Sequence, residues 1–217
     1  SGWVVKSHQV LKRAATGTQL DAGLEYTYQD PRYSPVRGFM GFESMITKDV
    51  VTGMVEYAEY YTQYPFNGQP KRTQTIRPGE AVIKQASSYP RARCWTTTGG
   101  GDWWTSPTTS VAEYSANGDS AAKFDGLASA VGRHCMVYTH TTRQADYAEG
   151  GLFRVQDTIN TYDDYGNALN VTVKTHDGGN GGVGSTESTF TTVSEYAYHN
   201  RVGRDSWLLG RLSIAKV

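Results

Sequence analysis

A chain of 217 residues is long enough for one domain, or one domain with a small lobe. Its 21 Lys+Arg against 21 Asp+Glu leave a formal net charge of zero, which excludes the broad basic field that captures nucleic acid or anionic membrane. Only 38% of residues are hydrophobic and 19% charged, while 15 Tyr help bring the aromatics to 12%. A disordered chain would be aromatic-poor and strongly charged, so this polar, uncharged, tyrosine-rich composition points to a β-rich protein.

In chain order, period-two alternation dominates. Leu24, Tyr26 and Tyr28 alternate with Glu25, Thr27 and Gln29. Further strands are expected at Phe42 to Lys48, Met54 to Tyr61, Arg72 to Ile76, Val82 to Ser88, Cys94 to Thr98 and Thr109 to Tyr114. Cys135 to Thr142, Phe153 to Tyr162, Leu169 to Thr175, Thr186 to Tyr198 and Leu209 to Ala215 complete the series. Thr52-Gly53, Asn67-Gly68, Asn117-Gly118, Gly166-Asn167 and the glycines of 178–182 supply turns, because Gly and Asn accept the positive φ of tight hairpins. The Ala-rich stretch Ser120 to Val131, broken by Gly126, allows at most one short helix. The fold class is all-β, built from antiparallel hairpins.

The chain reads as a single β-rich unit over 1–217, with a first β segment at 20–86, an irregular insertion at 87–149 and regular hairpins at 150–217. Tyr61 to Thr73 can be laid over Tyr162 to Thr172, each a strand ending in tyrosines, a glycine-bearing polar turn and a returning strand. Such recurrence suits a sheet that grows by addition of similar units. No apolar run approaches the roughly 18 residues of a membrane helix, so no membrane span is expected. The first residues show no signal-peptide pattern. Cys94 and Cys135 lack CxxC or zinc spacing, and are compatible with a disulfide or with two buried thiols.

Several motifs carry the resemblance to a known family. Tyr162-Asp163-Asp164-Tyr165-Gly166-Asn167, followed by Leu169, resembles the tyrosine–aspartate (YD) repeat. Tyr26 to Tyr33, continuing through Gly38-Phe39-Met40-Gly41-Phe42, and Glu59 to Pro70 resemble the middle region of the B component of bacterial insecticidal toxin complexes. Rhs and virulence-plasmid B-type proteins share that pattern, and Ser206 to Arg211 fits the way such segments lead into successive repeats. The resemblance covers about residues 20–75 and 150–217. It implies an extended, curved sheet of hairpins forming the wall of a hollow shell around a toxic C-terminal polypeptide. It also implies a secreted or cell-surface bacterial protein whose partners are the rest of that shell and its cargo. Such shells are several times longer than this chain, and their aspartyl-protease region has no recognisable counterpart here. The expectation is therefore an excised or stand-alone shell segment.

Chemistry is weakly signalled by comparison. Asp163 or Asp164 can accept backbone N–H groups in the turn while Gly166 supplies its conformation, a structural role. His134 and His140 would sit about 20 Å apart along a strand, too far for one ion, and Asp177 and Asn180 form a single glycine-loop tract. No metal or cofactor is expected. The sequence has no Gly-x-Ser-x-Gly elbow, P-loop or His-Glu-x-x-His helix. Glu56, Glu59, Asp102 and Glu113 are ordinary carboxylates of a β protein, so no enzyme is expected. The alternative function is carbohydrate binding: Trp95, Trp103 and Trp104, beside Gly99 to Gly101, could stack on sugar rings and make a glycan the partner.

Overall fold

The computed structural model describes residues 4–14, 17–79, 82–96, 110–117, 133–148, 151–163, 165–177, 190–203 and 206–216. Twelve strands account for most of these residues. They are β1 (Ser7–Ala14), β2 (Gly17–Ser34), β3 (Gly38–Asp49), β4 (Val55–Tyr60), β5 (Pro70–Ile76), β6 (Val82–Thr96), β7 (Ser110–Ser115), β8 (Arg133–Ala148), β9 (Gly151–Tyr162), β10 (Ala168–Asp177), β11 (Phe190–Gly203) and β12 (Ser206–Lys216). All belong to one open sheet in the order β1-β2-β3-β4-β5-β6-β8-β9-β10-β11-β12, with β7 also on β6. Every pairing is antiparallel. The expected all-β hairpin architecture is what the chain adopts, and no helix occurs among the described residues. The helical window at Ser120 to Val131 lies outside them.

Three features differ from the sequence reading. β1 was not anticipated. Of Val82 to Ser88 and Cys94 to Thr98, expected as separate strands, the described part, Val82–Thr96, is one strand through Tyr89 and Pro90. Pro90 lacks the N–H a ladder needs, and the register of β6 on β8 shifts between Tyr89 and Pro90, which accommodates it. The stretch read as an irregular insertion at 87–149 contains the end of β6, all of β7 and all of β8. β6 and β8 pair without interruption from Lys84↔Asp146 to Tyr89↔Thr141, then from Pro90↔Thr139 to Thr96↔Arg133. One flank of β6 is shared end to end: β5 pairs its residues 82–87 and β7 its residues 91–96.

A single sheet cannot bury both faces, and the core is correspondingly small. Tyr61, Phe66, Ala92, Cys94 and Ala116 form its centre, with Tyr64, Tyr114, Cys135 and Val137 packed around it. The loop between β4 and β5 folds onto β6 at the junction of β5 and β7. There the Ala116 N–H donates to the Pro90 carbonyl (3.2 Å), and Tyr61 Oη lies 3.1 Å from the Ser88 carbonyl and 2.6 Å from Asn117 Oδ1. Burial pushes the Tyr61 phenol up to about 12, so it stays protonated and able to donate at any ordinary pH.

Hairpin chemistry fixes the rest. Asp49 Oδ1 accepts the Val51 and Thr52 N–H groups (2.8 and 3.1 Å), while Gly53 at φ +72° closes the β3–β4 turn. The Thr52 and Val51 N–H groups hold the Asp49 carboxyl below its usual range. Cys94 and Cys135 are directly opposite in register, and they form a disulfide. The question left open by spacing is settled by register, since facing residues on adjacent strands bring their Cβ atoms close together.

Candidate functional site

The YD-like turn joins β9 to β10. Asp163 Oδ1 accepts the N–H groups of Tyr165 and Asn167, both at 2.9 Å, and Oδ2 accepts Asn167 Nδ2 at 2.8 Å. The Asp163 N–H donates to the Asn167 carbonyl (3.0 Å) and the Gly166 N–H to the Asp163 carbonyl (3.3 Å). Gly166 sits at φ +86°, and a Cβ there would come within 3.1 Å of Met136 Sδ. Tyr162 packs its ring 5.0 Å from Tyr138, and burial raises its phenol pKa. Asp164 lies outside the described residues. One carboxylate thus organises the whole turn. Asp163→Ala should cost about 1–2 kcal/mol, since three hydrogen bonds to a carboxylate are lost at a solvated site. An Asp163→Ala unfolding midpoint equal to that of the parent would show that backbone bonds alone hold the turn.

The β4–β5 turn has a related design. Tyr61 N–H donates to Gln69 O and Gly68 N–H to Tyr61 O, both at 2.9 Å, with Gly68 at φ +80°. Backbone groups do here what the Asp163 side chain does in the other turn. Arg37, from the β2–β3 tip, stacks over the Tyr64 ring at 3.5 Å. In the β6–β8 ladder, Ala92↔Val137 and Cys94↔Cys135 alternate with Arg91↔Tyr138 and Arg93↔Met136. The Tyr61 turn packs on the first set and the Gly166 turn reaches the second, so the two turns lie on opposite faces.

On the Met136 and Tyr138 side, the Tyr138 hydroxyl donates to Glu113, with Arg91 and Arg93 each 3.7 Å from that carboxylate. Burial and the Glu113 carboxylate push the Tyr138 phenol up to about 12, and the Tyr138 bond holds Glu113 low. Burial and the Arg91 charge lower the His140 pKa. These groups neutralise one another and hold β7 on β6.

A row of polar residues crosses most of the sheet. Register places Gln29, Ser44, Glu59, Arg72, Ser87, Arg143, Asp157, Lys174 and Thr191 directly opposite one another in turn from β2 to β11. Facing residues share a face, so this is one continuous ladder. Ser44 Oγ donates to Gln29 Oε1 (2.9 Å), and Arg72 Nη2 to Glu59 Oε1 (2.7 Å). Arg143 makes a bidentate pair with Asp157 (2.7 and 2.8 Å). Burial tends to raise the Glu59 pKa, but the Tyr57 hydroxyl, Arg72 and Lys71 outweigh it and hold the carboxyl low. Sequence alternation shows which residues share a face of one strand; only register shows that they meet across strands.

Trp95 lies on β6, opposite His134 and Val111 in register. Trp103 and Trp104, the other members of the carbohydrate-binding set, lie outside the described residues. No group of three His, Cys, Asp or Glu that could hold a metal ion occurs among the described residues. No helix there is long and apolar enough to cross a membrane, which says nothing of a β-barrel.

No family profile matches the chain, and no curated protein matches it. Among solved structures it is similar to the crystal structure of TcdB2-TccC3 without its hypervariable C-terminal region. The TM-score is 0.60 at 9% sequence identity, and the match covers 94% of this chain and 12% of that one. At that identity the likeness is one of fold, to a distant toxin-shell-like architecture. The chain spans about an eighth of the length of the structure it matches.

Proposed function

We propose that this chain is a non-enzymatic wall segment of a larger secreted bacterial toxin shell of the YD-repeat type. The observation that supports it best is the single open sheet: strands paired edge to edge, with β1 and β12 lacking an outer neighbour among the described residues. The fold similarity to a stretch of TcdB2-TccC3, a toxin complex, supports the same reading. So does the YD-like turn, in which the Asp163 carboxylate bonds groups of the turn itself. In this role the hydrogen-bonded strands are the function. They make a barrier that encloses a cargo polypeptide, and the transverse polar ladder keeps their register. The test is the intact mass of the protein purified from its source cells. A product several times longer than 217 residues, with a separate C-terminal polypeptide, is expected; a mature product near 23.9 kDa would remove enclosure as its function.

A further inference from the structure

The face opposite the polar ladder carries a depression with binding-site chemistry. Two adjacent rows form it. The first runs Tyr28↔Met45↔Ala58↔Thr73↔Ala86 and the second Tyr26↔Thr47↔Glu56↔Thr75↔Lys84, each step a directly facing pair. These rows lie one and three residues along from the ladder, so both point away from it. Between β3 and β6 they line a concavity of about 370 Å³, within the range of small-ligand sites. The small side chains of Ala58, Thr73, Thr75 and Ala86 line it together with the larger Met45 and Tyr60. At the β2 end, the rings of Tyr26 and Tyr28 stack 6.5 Å apart with an interplanar angle of 28°.

The charges narrow the ligand class. Glu56 and Lys84 stand on the second row, separated by Thr75, hence two strand spacings or roughly 10 Å apart. Both are exposed, and neither makes an ion pair among the described residues. Asp146, which faces Lys84, is occupied by Arg154 at 2.7 Å and by Gln144 at 3.1 Å. One carboxylate and one ammonium leave the site neutral, which does not suit a phosphate or a nucleotide. The threonine hydroxyls that line it make it too polar for a lipid chain. Near-parallel tyrosine rings offer π-faces to C–H groups, and the hydroxyls, Glu56 and Lys84 offer acceptors and donors to hydroxyl groups. A ligand that presents both on one molecule is a saccharide.

We propose that this groove binds a neutral oligosaccharide, with one sugar ring against Tyr26 and Tyr28 and a ring further along the same molecule over Ala58 and Thr73. The proposal is independent of the shell reading, and it assigns sugar binding to residues other than Trp103 and Trp104. The full chain would be titrated calorimetrically with cellohexaose, chitohexaose and maltohexaose. At least one should bind with a Kd of about 1 mM or tighter. Glu56→Gln, which removes a charge without changing shape, and Ala86→Trp, which fills the groove, should each weaken binding at least tenfold with unchanged circular dichroism. A Trp103→Ala, Trp104→Ala variant should bind as the parent does. Absence of binding for all three sugars at about 10 mM would overturn the proposal. So would binding that survives Glu56→Gln and Ala86→Trp but disappears with the two tryptophans.

Discussion

Reduction of the Cys94–Cys135 bond is expected to lower the unfolding free energy by about 4 kcal/mol in the chain-entropy relation for the 41-residue separation it closes. The bond ties β6 to β8 at facing positions, so the folded strands already hold the two residues together. Its main effect is then on the unfolded chain, which loses the freedom to separate residues 94 and 135. The native sheet should keep its far-ultraviolet dichroism after reduction while its urea midpoint falls. A Cys94→Ala, Cys135→Ala variant should start at the lower midpoint and ignore reductant. A midpoint in the parent that does not respond to reductant would mean that the unfolded chain is already restricted in this region.

Truncation of Phe66 is the second large effect, at about 3–5 kcal/mol for Phe66→Ala. Phe66 is 0% exposed, its ring is 6.2 Å from that of Tyr61, and it belongs to the small core over β6 and β8. Few buried side chains share the load with it, so the cavity cannot be closed by a deep surrounding layer. Its backbone is also committed: Phe66 N–H donates to Gln63 O at 2.8 Å and its carbonyl accepts Gln69 N–H at 2.9 Å. The ring thus pins a turn whose backbone bonds are already made. Phe153→Ala is the matched control: with Phe153 64% exposed on β9, its effect should stay within about 0.5 kcal/mol. Equal losses at the two positions in urea titrations would show that the β4–β5 turn does not anchor the sheet.

The alternation of tyrosine, threonine and valine made nearly every strand legible in the sequence, because period two is a property of one strand by itself. β1 escaped notice since Ser7–Ala14 alternates poorly: Val10 and Leu11 are adjacent, as are Lys12 and Arg13. The break expected between Val82 to Ser88 and Cys94 to Thr98 does not occur, because Pro90 is absorbed by a register shift. The groove and the polar ladder were not legible at all. Glu56, Thr75 and Lys84 lie on three different strands, and nothing local in the sequence places them in one row. The same holds for the disulfide, where two candidate states of Cys94 and Cys135 were separated by register alone. Of the turn residues, a carboxylate at Asp163 or Asp164 and the conformation of Gly166 could be assigned from residue type, because the turn's bonds are formed within five positions.

The strand order carries a directional consequence. The path from β1 to β12 makes an even number of antiparallel steps, so its two borders point the same way. A hairpin extending the chain beyond either border keeps the alternation going. A second copy of the chain faces a stricter rule: to join in antiparallel fashion with the same face outward it must be turned by a half-rotation about the sheet normal, which sets β12 against β12 or β1 against β1. Such a contact relates the two copies by a twofold axis and uses up the matching border of each. Antiparallel joining through one kind of border therefore terminates at pairs, and growth past a pair has to use the other border as well.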